Sequence, residues 1–145
     1  MAGKVKVEWH GDEFVKHMQA INGKCLTKTG LALVAFMKAT VTGKGGFVGS
    51  GTRKNHTPSS PGNPPAVDTG HYRRSIQMDA TSASRPRPFV LVGSNVKYGP
   101  YLEFGTRHMQ ARPHWRPTLK KQGNKLIGLY MQCLSKEMAK FKGVK

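Results

Sequence analysis

The chain has 145 residues, enough for one domain with a core that needs neither metal nor disulfide to hold it. Its 24 Lys and Arg face only seven Asp and Glu, and the net charge of +17 attracts polyanions and opposes self-association until something neutralises it. No run approaches the ~20 apolar residues of a membrane span and no signal-peptide stretch is present, which predicts a soluble protein made in a reducing cytoplasm, with Cys25 and Cys133 as free buried thiols.

In chain order, residues 4–9 (KVKVEW) alternate Val5, Val7 and Trp9 with charged residues, the period of a strand half-buried on one face. Phe14, Met18, Ile21, Cys25, Leu33, Phe36, Met37 and Val41 then recur at helical spacing. Gly23 and Gly30 weaken the middle, so this is either one long helix softened near Gly23 or two helices meeting there. Residues 43–67 are rich in Gly, Ser, Pro and Asn and carry Lys44, Arg53 and Lys54 without an acid. Roughly 25 structureless residues in a compact domain mean function or disorder, and the reading is an extended loop or an arm that orders on assembly. Asp68-Thr69-Gly70 forms a turn. Strands are predicted at 72–80, 89–96 and 98–104, with a basic turn carrying Arg85 and Arg87 between the first two. Pro113 and Pro117 stiffen the approach to a last helix at 118–142. Its stripe of Leu119, Leu126, Ile127, Tyr130, Leu134, Met138 and Phe141 reads as core. Residues 143–145 are a flexible tail. The predicted fold is α+β in a single domain, 1–145. A small, mostly antiparallel sheet packs against a long N-terminal helix and a C-terminal helix, and the strand at 4–9 joins this sheet or a neighbour's.

The residues that carry chemistry in enzymes are sparse. The six histidines lack the i, i+4 spacing of a helical metal site and have no CxxC beside them, so neither a metal nor a cofactor is expected. GKGGFVGSG lacks the ending of a phosphate-binding loop. Of the carboxylates, Asp68 reads as a turn cap, and Glu103, between Leu102 and Phe104, either points away from the apolar face or pairs with Arg107, Arg112 or Arg116. Arg73, Arg74, Arg85 and Arg87 stand on no recognition helix, so any contact with DNA is sequence-blind. Tyr98, Tyr101 and Phe104 crowd more aromatic surface into one segment than a small strand needs, and aromatics with Arg are the residue types enriched at interface cores. Either Tyr101 or Phe104 is also expected inside, under the last helix.

Three motifs follow in order: VDTGHYRRSI at 67–76, VLVG at 90–93 with YGPYLEFGT at 98–106, and ARPHWRPTL at 111–119. Together they resemble the neck and tail-completion proteins of tailed bacteriophages, over roughly residues 14–141. Tyr72 stands where that family usually has Leu, Gly99 where Ala is usual, and His114-Trp115 where Phe and an aliphatic are usual. The arm at 43–67 is longer than the family's link.

The resemblance implies a structural virion protein and no enzyme. It implies a homo-oligomeric ring in the neck or at the head-proximal end of the tail, of roughly six copies or, second, roughly twelve. Implied neighbours are connector or head-closure and tail-tube proteins, with genomic DNA in the lumen and no membrane. Tyr98, Tyr101, Glu103, Phe104, Thr106, Arg107, Arg112, Trp115 and Arg116 are the expected interface residues. Lys44, Arg53, Lys54, Arg73, Arg74, Arg85 and Arg87 are expected to face DNA or acidic partners. The competing readings are a stand-alone, sequence-nonspecific nucleic-acid-binding protein and a hydrolase using Asp68 or Glu103.

Overall fold

The computed structural model of the chain describes residues 11–41 and 59–140. The predicted strand at 4–9, the arm residues Lys44, Arg53 and Lys54, Phe141 and the tail lie outside these. Within them the order is α1 (Gly11–Thr40), α2 (His71–Ser75), β1 (Ile76–Asp79), β2 (Leu91–Ser94), α3 (Gly99–Phe104) and α4 (Trp115–Ala139). The fold is α+β, with a long N-terminal helix, a C-terminal helix and a small antiparallel sheet.

α1 runs unbroken through Gly23 and Gly30, so the single long helix is the correct reading. Both glycines lie where the helix meets the hairpin. A Cβ on Gly23 would collide with the Ala83 carbonyl oxygen between β1 and β2, and one on Gly30 with Met78 Sδ of β1. Each glycine costs the helix about 1 kcal/mol of propensity, and that loss permits the close approach.

β1 and β2 pair antiparallel, with Ile76 opposite Ser94 and Met78 opposite Val92. They are shorter than predicted, and the other strand expectations need correction. Residues 71–75 form the helical turn α2, entered through Gly70 at φ 74° and closed by Arg74 N–H on Gly70 O at 2.9 Å. The segment 98–104 is the helix α3, not a strand. Its aromatics favour a strand, but Pro100 fits a first helical turn, where its missing N–H leaves nothing unpaired. Gly105, at φ 79°, ends the helix with its N–H on Tyr101 O at 2.9 Å.

The core gathers Met37, Val41, Tyr72 and Ile76, with Val92, Leu102 and Trp115 packed around them. α1 is the shared element, packing on the hairpin and on α4. Tyr130 O–H donates to Asn22 Oδ1 at 3.0 Å, and Lys24 pairs with Glu137 at 2.8 Å. Cys25 and Cys133 are joined by a disulfide, their Cα atoms 5.6 Å apart, which overturns the expectation of free thiols. The two residues are 108 apart in sequence, so only helix docking shows the pairing. The α4 stripe is also corrected in part. Leu126 is buried, while Leu119, Ile127 and Met138 are exposed, because α4 presents one narrow face to α1.

Candidate functional site

The first turn of a helix leaves backbone N–H groups without partners, at the positive end of the helix dipole. α4 begins without a capping side chain on His114, its own N-cap residue. Glu103, from α3, supplies the cap. Its Oε2 accepts from His114 N–H at 2.8 Å and from Trp115 N–H at 3.0 Å, and its Oε1 accepts from Arg116 N–H at 3.1 Å. Pro117 has no N–H, and Thr118 N–H already bonds His114 O at 3.1 Å. Every amide of the turn is therefore accounted for. The Arg116 guanidinium adds a contact, Nε to Oε1 at 3.5 Å. Burial acts to raise the Glu103 carboxyl, but the three amides and the nearby His114 outweigh it and hold the group below the usual carboxylate range.

Beneath this cap lies a buried polar chain. Trp115 Nε1–H donates to Tyr72 Oη at 3.0 Å, and Tyr72 Oη lies 3.0 Å from His114 Nε2. With the Tyr72 hydroxyl proton turned to Nε2, the ring proton stands on Nδ1, the tautomer in which an N–H rather than a lone pair faces the ionised Glu103 Oε2, 3.4 Å away and without a hydrogen bond. His114 is wholly buried, and burial pushes its pKa down against the pull of Glu103. Burial raises the Tyr72 hydroxyl. The ground state is an ionised Glu103 under a neutral His114 and a protonated Tyr72. Glu, His and Tyr in series resemble a proton relay. Here the chain ends on the Trp115 indole, and it positions the start of α4.

These contacts join the three sequence motifs. Tyr72 comes from the first, Gly99 and Glu103 from the second, His114 and Trp115 from the third. They also connect the departures from the phage pattern. Tyr72, His114 and Trp115 form one hydrogen-bonded set. A Cβ on Gly99 would stand 3.3 Å from Tyr72 Cε2, so the glycine makes room for the ring. Tyr72 and His114 were absent from the predicted site, although their signal was present: polar rings at two positions where the pattern has apolar residues.

The expected interface residues divide. Glu103 is buried and committed to α4, which corrects the expectation that it points away from the apolar face: three amides at the start of α4 satisfy the carboxylate inside. Tyr98, Tyr101 and Phe104 are 42%, 56% and 68% exposed, so the expectation that Tyr101 or Phe104 lies inside is incorrect. The turn of α3 directs Gly99 and Glu103 inward and these aromatics outward. Arg116 stacks over the Phe104 ring, 4.8 Å from its centroid. Trp115 is half-buried. Thr106 Oγ1 accepts from the backbone of His108 and Met109, shaping the turn that leaves Arg107 exposed. Arg112 lines a cavity of about 210 Å³ with Asp68, Tyr98 and Leu102. Arg73 and Arg74 are exposed on α2, and Arg85 and Arg87 on the β1–β2 turn. Among the described residues, no cluster of His, Cys, Asp or Glu is arranged to hold a metal ion.

The family model described as "Bacteriophage HK97-gp10, putative tail-component" matches residues 6–105. The chain belongs to this family. The matched stretch ends one residue beyond α3, so the HK97-gp10-like part supplies Glu103 and the remainder supplies the helix that Glu103 caps. No curated protein and no solved structure matches the chain. Membership makes it a component of a bacteriophage tail family. No described helix is long and apolar enough to cross a membrane.

Proposed function

We propose that the protein is a structural component of the virion, forming a closed homo-oligomeric ring in the neck or at the head-proximal end of the tail, where it joins head to tail. It acts by binding, without turnover. The observation that carries this reading is the exposed set of Tyr98, Tyr101, Phe104 and Arg116. These side chains stand on α3, its preceding N-cap residue and the first turn of α4, two elements locked together by one buried carboxylate, in a chain of a phage tail family. Rigidly presented aromatics and arginines lose little entropy on binding and suit interface cores. The ring would hold roughly six copies, and the contacts between copies would be heterologous. Its neighbours would be connector or head-closure and tail-tube proteins. Exposed arginines such as Arg73, Arg74, Arg85 and Arg87 would face acidic surfaces of those neighbours, with some facing DNA in the lumen.

The test is the solution mass of the purified protein and electron microscopy of particles made without it. Full heads and finished tails left unjoined are the expected result; joined particles would sink the neck assignment. Tyr101→Ala and Phe104→Ala should abolish joining while leaving the thermal midpoint of the isolated protein nearly unchanged, because both side chains are exposed. The net charge of +17 favours a second reading, a sequence-nonspecific nucleic-acid binder. It predicts a monomer that retards random duplex DNA with a steep salt dependence.

A further inference from the structure

A groove of about 430 Å³ is lined by Val92, Gly93, Pro100, Phe104, Trp115 and Arg116, among others. Three consecutive residues of β2 border it, from Val92 to Ser94, and no residue of β1 does. Ile76 and Met78, the partners of Ser94 and Val92, are covered on that face, Ile76 wholly buried and Met78 against Gly30 of α1. The groove therefore lies on the β2 side of the hairpin, by the outer edge of β2. Among the described residues, that edge has no strand partner. A free strand edge beside an apolar trough accepts an extended segment, with backbone bonds to the edge and alternate side chains in the trough.

The chain has such a segment. Residues 4–9 alternate Val5, Val7 and Trp9 with Lys4, Lys6 and Glu8. Their reach decides whose groove they fill. α1 begins at Gly11, and Gly30 lies against Val90, which leads directly into β2. From Gly11 to the level of Gly30 the helix rises about 28 Å. The groove lies farther still, toward the Tyr72 and Met37 end of α1. Lys4, fully extended from Gly11, spans at most about 25 Å. Residues 4–9 therefore fall short of the groove of their own molecule.

We propose that residues 4–9 of one copy seat as an added strand on the outer edge of β2 of the next copy, with alternate apolar side chains over Phe104 and Trp115. Each copy donates one strand and accepts one, so the contact is head-to-tail and closes into a ring when the rotation permits. The proposal rests on the ring reading and supplies its joint.

Disulfide trapping in the full-length chain tests it. Gly93→Cys is suitable on the acceptor side, because a Cβ there meets open space. The donors are Val5→Cys, Val7→Cys and Trp9→Cys, each mixed with the Gly93→Cys protein and oxidised. Cys25 and Cys133 are already bonded to each other. The expected result is a covalent dimer on a non-reducing gel from at least one mixture, together with loss of the oligomer when residues 2–10 are deleted. An oligomer that persists after the deletion, with no cross-link in any mixture, overturns the strand exchange and leaves the ring standing. A monomeric full-length chain with no cross-link overturns both. A cross-link within one chain, in a protein carrying donor and acceptor cysteines together, overturns the assignment to a neighbour.

Discussion

Glu103 concentrates at one carboxylate the start of α4, the orientation of Arg116 and part of the acid response. Glu103→Gln keeps the shape but removes the charge and one acceptor oxygen. It should cost roughly 2 kcal/mol, read from the urea midpoint. The folded pKa of Glu103 lies below its unfolded value, so its contribution is full above the unfolded value and is lost as pH falls through the folded one. The folded pKa of His114 also lies below its ordinary 6.5, so below that pH the unfolded chain takes up a proton that the folded chain refuses. Both groups therefore destabilise the fold in acid. Stability measured against pH should lose its lower step in Glu103→Gln and its upper step in His114→Phe; unchanged profiles would remove both assignments. Tyr72 and Gly99 form a coupled pair. Gly99→Ala should destabilise beside Tyr72, whose ring crowds the new methyl. It should stabilise, by up to about 1 kcal/mol of helix propensity, once Tyr72→Leu is present. Strict additivity in the double-mutant cycle would contradict the coupling.

At the scale of elements, α1 and α4 use glycine in opposite ways. Gly23 and Gly30 face other atoms at distances no Cβ tolerates, while Gly123 and Gly128 of α4 face open space. The same substitution should therefore change sign with the helix. Gly23→Ala should cost about 1–3 kcal/mol through overpacking against Ala83. Gly123→Ala and Gly128→Ala should each gain up to about 1 kcal/mol from propensity. Thermal midpoints of the three variants decide it, and a stabilising Gly23→Ala would mean that α1 stands off the hairpin. Sequence periodicity located both long helices because an apolar stripe repeats within a few residues. It misassigned residues 98–104, where aromatic β-preference outweighed two local signals, Pro100 in a first turn and Gly105 at an end. It also counted Leu119, Ile127 and Met138 as core, since a stripe shows that a face is apolar but not what covers it.

For the molecule as a whole, charge opposes any ring of identical copies. Carrying +17 each, the copies repel one another at low ionic strength. The screening length falls from about 10 Å at 0.1 M salt to about 3 Å at 1 M. If aromatic and strand contacts hold the copies together, the oligomeric fraction seen by light scattering should rise with salt, while retention of DNA should fall. An oligomer that dissociates as salt rises would show ionic contacts instead and would displace Tyr101 and Phe104 from the interface. By itself the sequence determined the fold class, the existence of both long helices, the poverty of catalytic groups and the phage motifs, because these rest on composition and on patterns a few residues wide. Only the tertiary structure decided that Cys25 meets Cys133, that Gly23 and Gly30 are contact points, and that Glu103 caps α4 through amides 11 to 13 residues later. Those are contacts across packed elements, and no local spacing encodes which element will dock against which.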